Sequence, residues 1–454
     1  MGQNVLLIQP MHEKKEHKKE RTSINFPWGL AYVADALQRA GHRVQILDGQ
    51  ALQLEKQELA PLIERYDADI IGITAFSTQF NAVRFLSEKI KAARNVPIII
   101  GGPMATYQAQ FTLEKTLADV CVIGDGEITA VDLLAHWNDK SRVEGIVYKE
   151  NGAIHHTPKR MVLPVMDDLP MPDFSLFDMD RYLRQTNTYS GRKSQEIRAM
   201  AVPTSRGCPY SCHFCSLSSK SYRRMSPPKV RDLLAELKNN FGVQEIIFQD
   251  ELFLTSKKSF KMLAPVLKDS GISWGAQGRV NTIDEEFLAM IRDAGCQGIG
   301  YGVESGSQKI LTNMNKKITV EQIERTLRIT QTSGVPMKIQ LMFAYPGEDE
   351  QTVAETIDLM RRVDLPGRRM TVTIPIPGAP LYDDCLAQGL IPDEAEFLVG
   401  LEKSFGMGKV HINFTQWPDD EIYPRKAAAE EAMRMNYVNN NWRRKVKYFF
   451  TRRL

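Results

Sequence analysis

Short apolar runs alternate with helical stretches along two long blocks of this chain, and such alternation restricts it to α/β folds built on parallel sheets. In the first block Val5-Leu6-Leu7-Ile8 reads as a buried strand stopped by Pro10. Pro27 opens a helix in which Leu30, Val33, Ala34 and Leu37 keep helical spacing, and Gly41 closes it. Further strands read at 44–48, 70–74, 96–100 and 120–123, with helices such as 59–66 and 82–93 between them. This pattern predicts a doubly wound parallel sheet over residues 1–140, whose ligands sit beyond the carboxyl ends of the strands. Gly101, Gly102, Gly124 and Gly126 fall at those ends, where backbone can approach a ligand closely. Ser77 and Thr78 form a small polar turn after the third strand, and Glu127 follows the last glycine.

The second block repeats the alternation over residues 199–385. Helices at 230–239, 259–269, 285–294, 320–333 and 351–363 each lead to a strand, and one more strand precedes residue 206. Six such units cannot close an eight-stranded barrel, so a partial (β/α)6 barrel is expected. Residues 141–198 join the blocks through a hairpin turning at Asn151-Gly152 and a linker rich in Pro and Asp over 163–177. Residues 386–454 carry no assignable motif; they read as mainly helical, with one helix at 427–439.

The chain has 6 cysteines in 454 residues, and three of them, Cys208, Cys212 and Cys215, fall in a C-x3-C-x2-C loop. Thiolates are soft ligands suited to zinc or an iron–sulfur centre. A structural zinc needs four ligands, and His213 lies awkwardly between two of them. Three ordinary buried cysteines are the remaining reading. Cys121, Cys296 and Cys385 lack partners at ligand spacing and read as structural. Polar residues at the carboxyl ends of the second block's strands are expected to face a reaction chamber: Gln249, Asp250, Glu251, Gln277, Arg279, Glu304 and Gln340, with Pro375. Each taken singly also reads as a hydrogen-bonded barrel residue.

The cysteine spacing, with Phe214 just before the last thiol, resembles the radical S-adenosylmethionine (SAM) enzymes. The resemblance implies a 4Fe–4S cluster on Cys208, Cys212 and Cys215, with one iron left free for SAM. It places Phe214 beside the adenine and SAM contacts at Gln249, Asp250, Arg279, Glu304 and Gln340. The segment Phe248-Gln249-Asp250-Glu251-x-Phe253 departs from the usual Asp-Asp pair, since Glu251 is the second acid. Ahead of the barrel, Pro27-x-Gly29-Leu30-x-Tyr32, Gly41-His42-x-Val44, Asp48, Gly101-Gly102-Pro103 and Gly124-x-Gly126-Glu127 are similar to a cobalamin-binding domain. That likeness implies cobalamin contacts at Ser77, Thr78, Gly101, Gly102, Gly126 and Glu127. The Asp-x-His-x-x-Gly motif is absent, so no protein histidine is expected below the cobalt.

The implied activity is reductive cleavage of SAM to a 5′-deoxyadenosyl radical, which abstracts hydrogen from an unactivated C–H bond. Cobalamin-dependent methylation of a small-molecule, lipid or tetrapyrrole substrate follows from the domain pairing. The alternatives are a cyclase, deoxygenation or rearrangement enzyme without cobalamin, and a non-catalytic metal-binding or sensor protein. An external electron donor such as flavodoxin or ferredoxin is implied with the cluster.

Charge and hydropathy narrow the partners. A net charge of +3 does not argue for nucleic acid, and no apolar run approaches a membrane span of ~18–20 residues. Clustered, scarce cysteines and the lack of a secretory pattern suit a reducing cytoplasm. The charged run His12-Glu13-Lys14-Lys15-Glu16-His17-Lys18-Lys19-Glu20 reads as a solvated loop at the carboxyl edge of the first sheet, with a binding role open. His155 and His156 face opposite sides of a strand, which argues against a shared metal. The basic, aromatic stretch from Trp442 to Arg453 suits an anionic membrane surface, a solvated helix end or a lid on the barrel.

Overall fold

The computed structural model describes residues 2–11, 24–161, 165–184, 186–192, 196–217, 219, 221–367, 369–404 and 408–451. The charged run at 12–20, Leu163 and Pro164 of the linker, and Arg452 and Arg453 lie outside the described residues. The first sheet holds parallel strands β1 (Asn4–Gln9), β2 (Arg43–Asp48), β3 (Ile70–Thr74), β4 (Ile98–Gly101) and β5 (Val120–Val122). Alternate residues of β1 feed two different cores: Leu6 and Ile8 one, Val5 and Leu7 the other. That two-sided burial explains the unbroken apolar run and the helices on both faces. The hairpin β6 (Ile146–Glu150) and β7 (Ala153–His156) pairs antiparallel with β5 and extends the sheet to the order 2-1-3-4-5-6-7. His155 stacks on Tyr148 across this hairpin, with ring centres 5.1 Å apart.

The second sheet is parallel throughout. Its strands run in chain order from β8 (Ala199–Val202) through β11 (Glu245–Phe248), β12 (Ser273–Gly278), β13 (Cys296–Glu304) and β14 (Met337–Phe343) to β15 (Met370–Val372). A two-residue ribbon, β9 (Ser205–Arg206) with β10 (Arg223–Arg224), flanks the cysteine loop. This is the expected open barrel of six βα units. Cys121, Cys296 and Cys385 are all buried, matching a packing role.

The segment between the domains does more than cross a surface. Leu169 and Phe174 join Phe26 and Trp28 of the first domain and Met200 and Val202 of the barrel in one continuous core. The Trp28 indole N–H donates to the Ala201 carbonyl at 2.7 Å. The Tyr182 hydroxyl donates to Asp48 at 2.5 Å. A shared apolar core with satisfied polar groups makes this joint rigid. Further along, Tyr189 lies against the barrel strands where Gly275, Gly298 and Gly300 have no side chains. Those glycines make room for a ring. A Cβ on Gly275 would stand 2.2 Å from the Tyr189 ring. Gly275→Ala is expected to destabilise the fold by roughly 1–3 kcal/mol, the usual range for overpacking. Pairing it with Tyr189→Ala should restore part of the loss in urea titrations; fully additive losses would rule out the steric cause.

The C-terminal residues clamp both domains. Helix Glu394–Ser404 buries Leu398 and Leu401 in the first domain's core, and Glu402 accepts the Asn81 backbone N–H at 2.7 Å. Helix Asp419–Asn439 packs Ile422, Ala429 and Met433 into the barrel core. Among the described residues no helix is long and apolar enough to cross a membrane.

Candidate active site

The cysteine loop starts at a forced turn. Gly207 has φ +81°, and a Cβ there would come within 2.5 Å of the Ser221 carbonyl oxygen. Only glycine fits that conformation and that space. Beyond it the loop is laced to two other loops: His213 N–H donates to Met314 O at 2.9 Å, Leu381 N–H donates to His213 O at 2.9 Å, and the Ser216 hydroxyl donates to Pro377 O at 2.9 Å. The His213 ring points away from the thiols, with Nε2 3.0 Å from Asp384 and Nδ1 3.2 Å from the Tyr345 hydroxyl.

Cys208, Cys212 and Cys215 rim one cavity of about 220 Å³ with Tyr210, Phe214, Glu251, Gln277, Arg279, Glu304, Lys316 and Gln340. Among the described residues no three His, Cys, Asp or Glu side chains close on a single point as around one metal ion. Three thiols around one open volume suit a cluster that keeps one iron free for a ligand. Burial pushes the Cys215 thiol up to about 12 and raises Cys208 as well, so cluster ligation at neutral pH must release protons.

Arg279 follows β12 and turns inward. Its guanidinium lies 3.8 Å from the centre of the Tyr210 ring, and Nη1 is 3.7 Å from the Cys212 sulfur. Its Nε and Nη2 are buried and have no hydrogen-bond acceptor among the described residues. Two forked donors aimed into a cavity suit a carboxylate. Glu304 ends β13 at φ +64°, just where the pairing with β14 shifts register. A side chain held in the left-handed region costs about 1–3 kcal/mol and is sustained only by its surroundings. Here the support is Lys316, whose Nζ donates to Glu304 Oε1 at 2.7 Å, both side chains being buried. Gly302 leaves the space for that pair.

The structure brings most of the expected chamber residues together but not all. Glu251, Gln277, Arg279, Glu304 and Gln340 line the cavity; Gln249, Asp250 and Pro375 do not. Gln249 is exposed. Asp250 is buried behind the loop, where its carboxylate accepts the Thr204 N–H at 3.2 Å and the Ser205 hydroxyl. It therefore anchors the start of the cysteine loop rather than facing a ligand. Tyr210 and Lys316 are not legible in the sequence as chamber residues. Lys316 sits between Asn315 and Lys317, both at positive φ, in a loop whose sequence carries no periodic signal.

A second cavity, of about 280 Å³, runs along one face of the first sheet to its carboxyl edge, with mainly apolar walls that include Leu7, Val33, Ile99 and Val122. Gly72 bares the sheet there. Gly101, Gly102, Gly126 and Glu127 line this cavity, whereas Ser77 and Thr78 sit on the turn after β3 and do not. Arg206 reaches in from the ribbon beside the cysteine loop. It lies 2.8 Å from Asp125 and 2.5 Å from Glu127, and Arg223 lies 2.6 Å from Asp125. Burial pushes the Asp125 carboxyl up, but the two guanidinia outweigh it and hold the group below its ordinary range.

Glu348, in the turn after β14, is pushed up to about 7 from 4.5 by burial, against the opposing pull of the Ala344 N–H. The folded chain therefore keeps a proton that the unfolded chain releases near pH 4.5. Stability from this group is full below that pH and is lost as pH rises through 7, by roughly 3 kcal/mol in all. Glu348→Gln keeps the acceptor and removes the titration, so the fall in thermal midpoint between pH 5 and 8 should flatten. An unchanged slope would assign the pH dependence elsewhere.

The descriptions "B12 binding domain" and "Radical SAM superfamily" match residues 19–134 and 202–360. An uncharacterized methyltransferase of Pyrococcus horikoshii is 32% identical over 397 residues, covering 85% of this chain and 84% of that protein. An anaerobic magnesium-protoporphyrin IX monomethyl ester cyclase of Rubrivivax gelatinosus is 28% identical, with 74% of this chain matching 62% of it. The fold is shared with the radical S-adenosylmethionine methyltransferase TsrM from Kitasatospora setae, solved with cobalamin and a 4Fe–4S cluster. The TM-score is 0.70, over 95% of this chain and 89% of that one, at 17% identity.

Proposed function

This chain belongs to the radical SAM enzymes that carry a B12-binding domain ahead of the barrel, and on that footing we propose that it methylates an unactivated carbon of a small molecule. The observation that carries the reading is the pairing of the two cavities. Arg206 lines the apolar one and stands two residues from Cys208, which rims the other. Cys208, Cys212 and Cys215 would hold the 4Fe–4S cluster, and Gly101, Gly102 and Gly126 would let cobalamin approach the backbone. When bound, these groups supply a 5′-deoxyadenosyl radical from SAM and a transferable methyl group.

The chain's own residues bind and orient. Arg279 offers two donors, which have no acceptor among the described residues, to the SAM carboxylate. Glu304, steadied by Lys316, keeps an acceptor for an ammonium or hydroxyl. Phe214 lines the same cavity and presents an aromatic face for the adenine. Gln277, Gln340 and Glu251 complete the rim on which a substrate would be held. An external reductant, of the flavodoxin or ferredoxin kind, and a reducing cytoplasm suit the cluster.

Purified, reconstituted protein should retain a corrinoid spectrum and release 5′-deoxyadenosine from SAM when reduced. Cluster and nucleoside release without corrinoid retention, even after cobalamin feeding, would favour radical-only cyclisation, the activity named for the Rubrivivax relative. Absence of nucleoside release would leave a binding protein.

A further inference from the structure

The last described helix, Trp442–Thr451, is docked on the barrel through its polar side. Arg444 pairs with Asp364 at 2.8 and 3.0 Å and lies over the Tyr437 ring at 3.7 Å. Tyr448, one turn on, lies under the Arg434 guanidinium at 4.7 Å. Positions 444 and 448 share one helical face, so Trp442 and Val446 point the opposite way. They are 69% and 46% exposed. A helix anchored to a protein ordinarily turns its apolar side inward. Here Trp442 and Val446 face outward.

The flanks of that apolar pair carry Arg443, Lys445 and Lys447, all exposed. Residues 442–454 hold six basic residues and no acidic one, in a chain whose net charge is only +3. An apolar face bordered by cations, with an indole at one end, has the chemistry of a helix lying in the interface of an anionic bilayer. We propose that the 442–451 helix docks this protein on anionic lipid surfaces, with Trp442 and Val446 entering the acyl boundary and Arg443, Lys445 and Lys447 meeting the headgroups. Charge complementarity selects this occupant over a second copy of the chain, since two such basic faces would repel. The helix lies outside both cavities, so docking and the proposed chemistry can fail independently.

Sedimentation of the full-length protein with vesicles tests the docking. Vesicles of phosphatidylglycerol and phosphatidylcholine should carry it down at least tenfold better than phosphatidylcholine alone, and 0.5 M salt should release it. The double variant Trp442→Glu, Val446→Glu should bind at least tenfold less while keeping its far-ultraviolet circular dichroism and its cluster spectrum. The proposal is overturned by equal binding to neutral vesicles, by undiminished binding of the variant, or by a dimer that the double substitution dissociates.

Discussion

Cys212→Ala is expected to leave a folded protein that cannot assemble its cluster or cleave SAM. Cys212 is the most enclosed of the three thiols, 9% exposed, and its sulfur accepts from Arg279 Nη1 at 3.7 Å. Losing an outer partner of a metal ligand commonly costs 10–100-fold, so losing a ligand outright should cost more than ~100-fold in bound iron and in 5′-deoxyadenosine release. Removing one thiol from a cavity wall costs little packing, so the circular dichroism spectrum should be preserved. Cys296→Ala is the matched control, because Cys296 is buried at the start of β13, away from the cavity. Full iron content in Cys212→Ala, or its loss in Cys296→Ala, would refute the ligand assignment.

Arg206→Met should be the most destabilising single change, at about 3–5 kcal/mol, the range for breaking a buried ion pair from one side. The guanidinium serves two carboxylates, and the substitution leaves Asp125 with Arg223 alone and takes from Glu127 its ion pair. Asp125 caps the helix after β5 and Glu127 lies in its first turn, whereas both arginines belong to the ribbon beside the cysteine loop. The lost energy is therefore energy that holds the two domains in register. Asp125 should take up a proton more readily in the variant, so acid sensitivity should appear at higher pH. In the parent, its contribution is present above the ordinary carboxylate range and is lost only as pH falls through the depressed folded value. Arg206→Lys should recover part of the loss, since an ammonium can serve one carboxylate but lacks the fork for two. A urea midpoint for Arg206→Met within error of the parent would show that the network contributes nothing to stability.

Both substitutions fall in the stretch 204–215, and the two residues differ in how plainly the sequence announces them. Cys212 is legible because ligand spacing is a local property of one loop. Arg206 stands just ahead of Cys208, yet no rule of spacing joins it to Asp125 or to Glu127, which lies 79 positions earlier.

The same division runs through the whole molecule. Strand and helix positions follow from hydrophobic period, which the chain states residue by residue. Helix 320–333 and strands Ile70–Thr74 and Met337–Phe343 lie where the pattern places them. The five parallel strands of the first sheet, the open six-stranded barrel and the three-thiol loop were determined at that level. Side-chain direction at strand ends was not. Asp250 and Glu251 are adjacent in sequence, but one caps Thr204 and the other faces the cavity, because the backbone has left β11 and turns there. Glu304 reaches its cavity only through a register shift and a left-handed residue, which no period encodes. Tyr189 on its glycine bed, Lys316 on Glu304 and Arg206 between two domains are contacts that no local pattern announces. Such pairings are decided by packing density and charge neutralisation once the sheets have formed, and only the tertiary structure contains them.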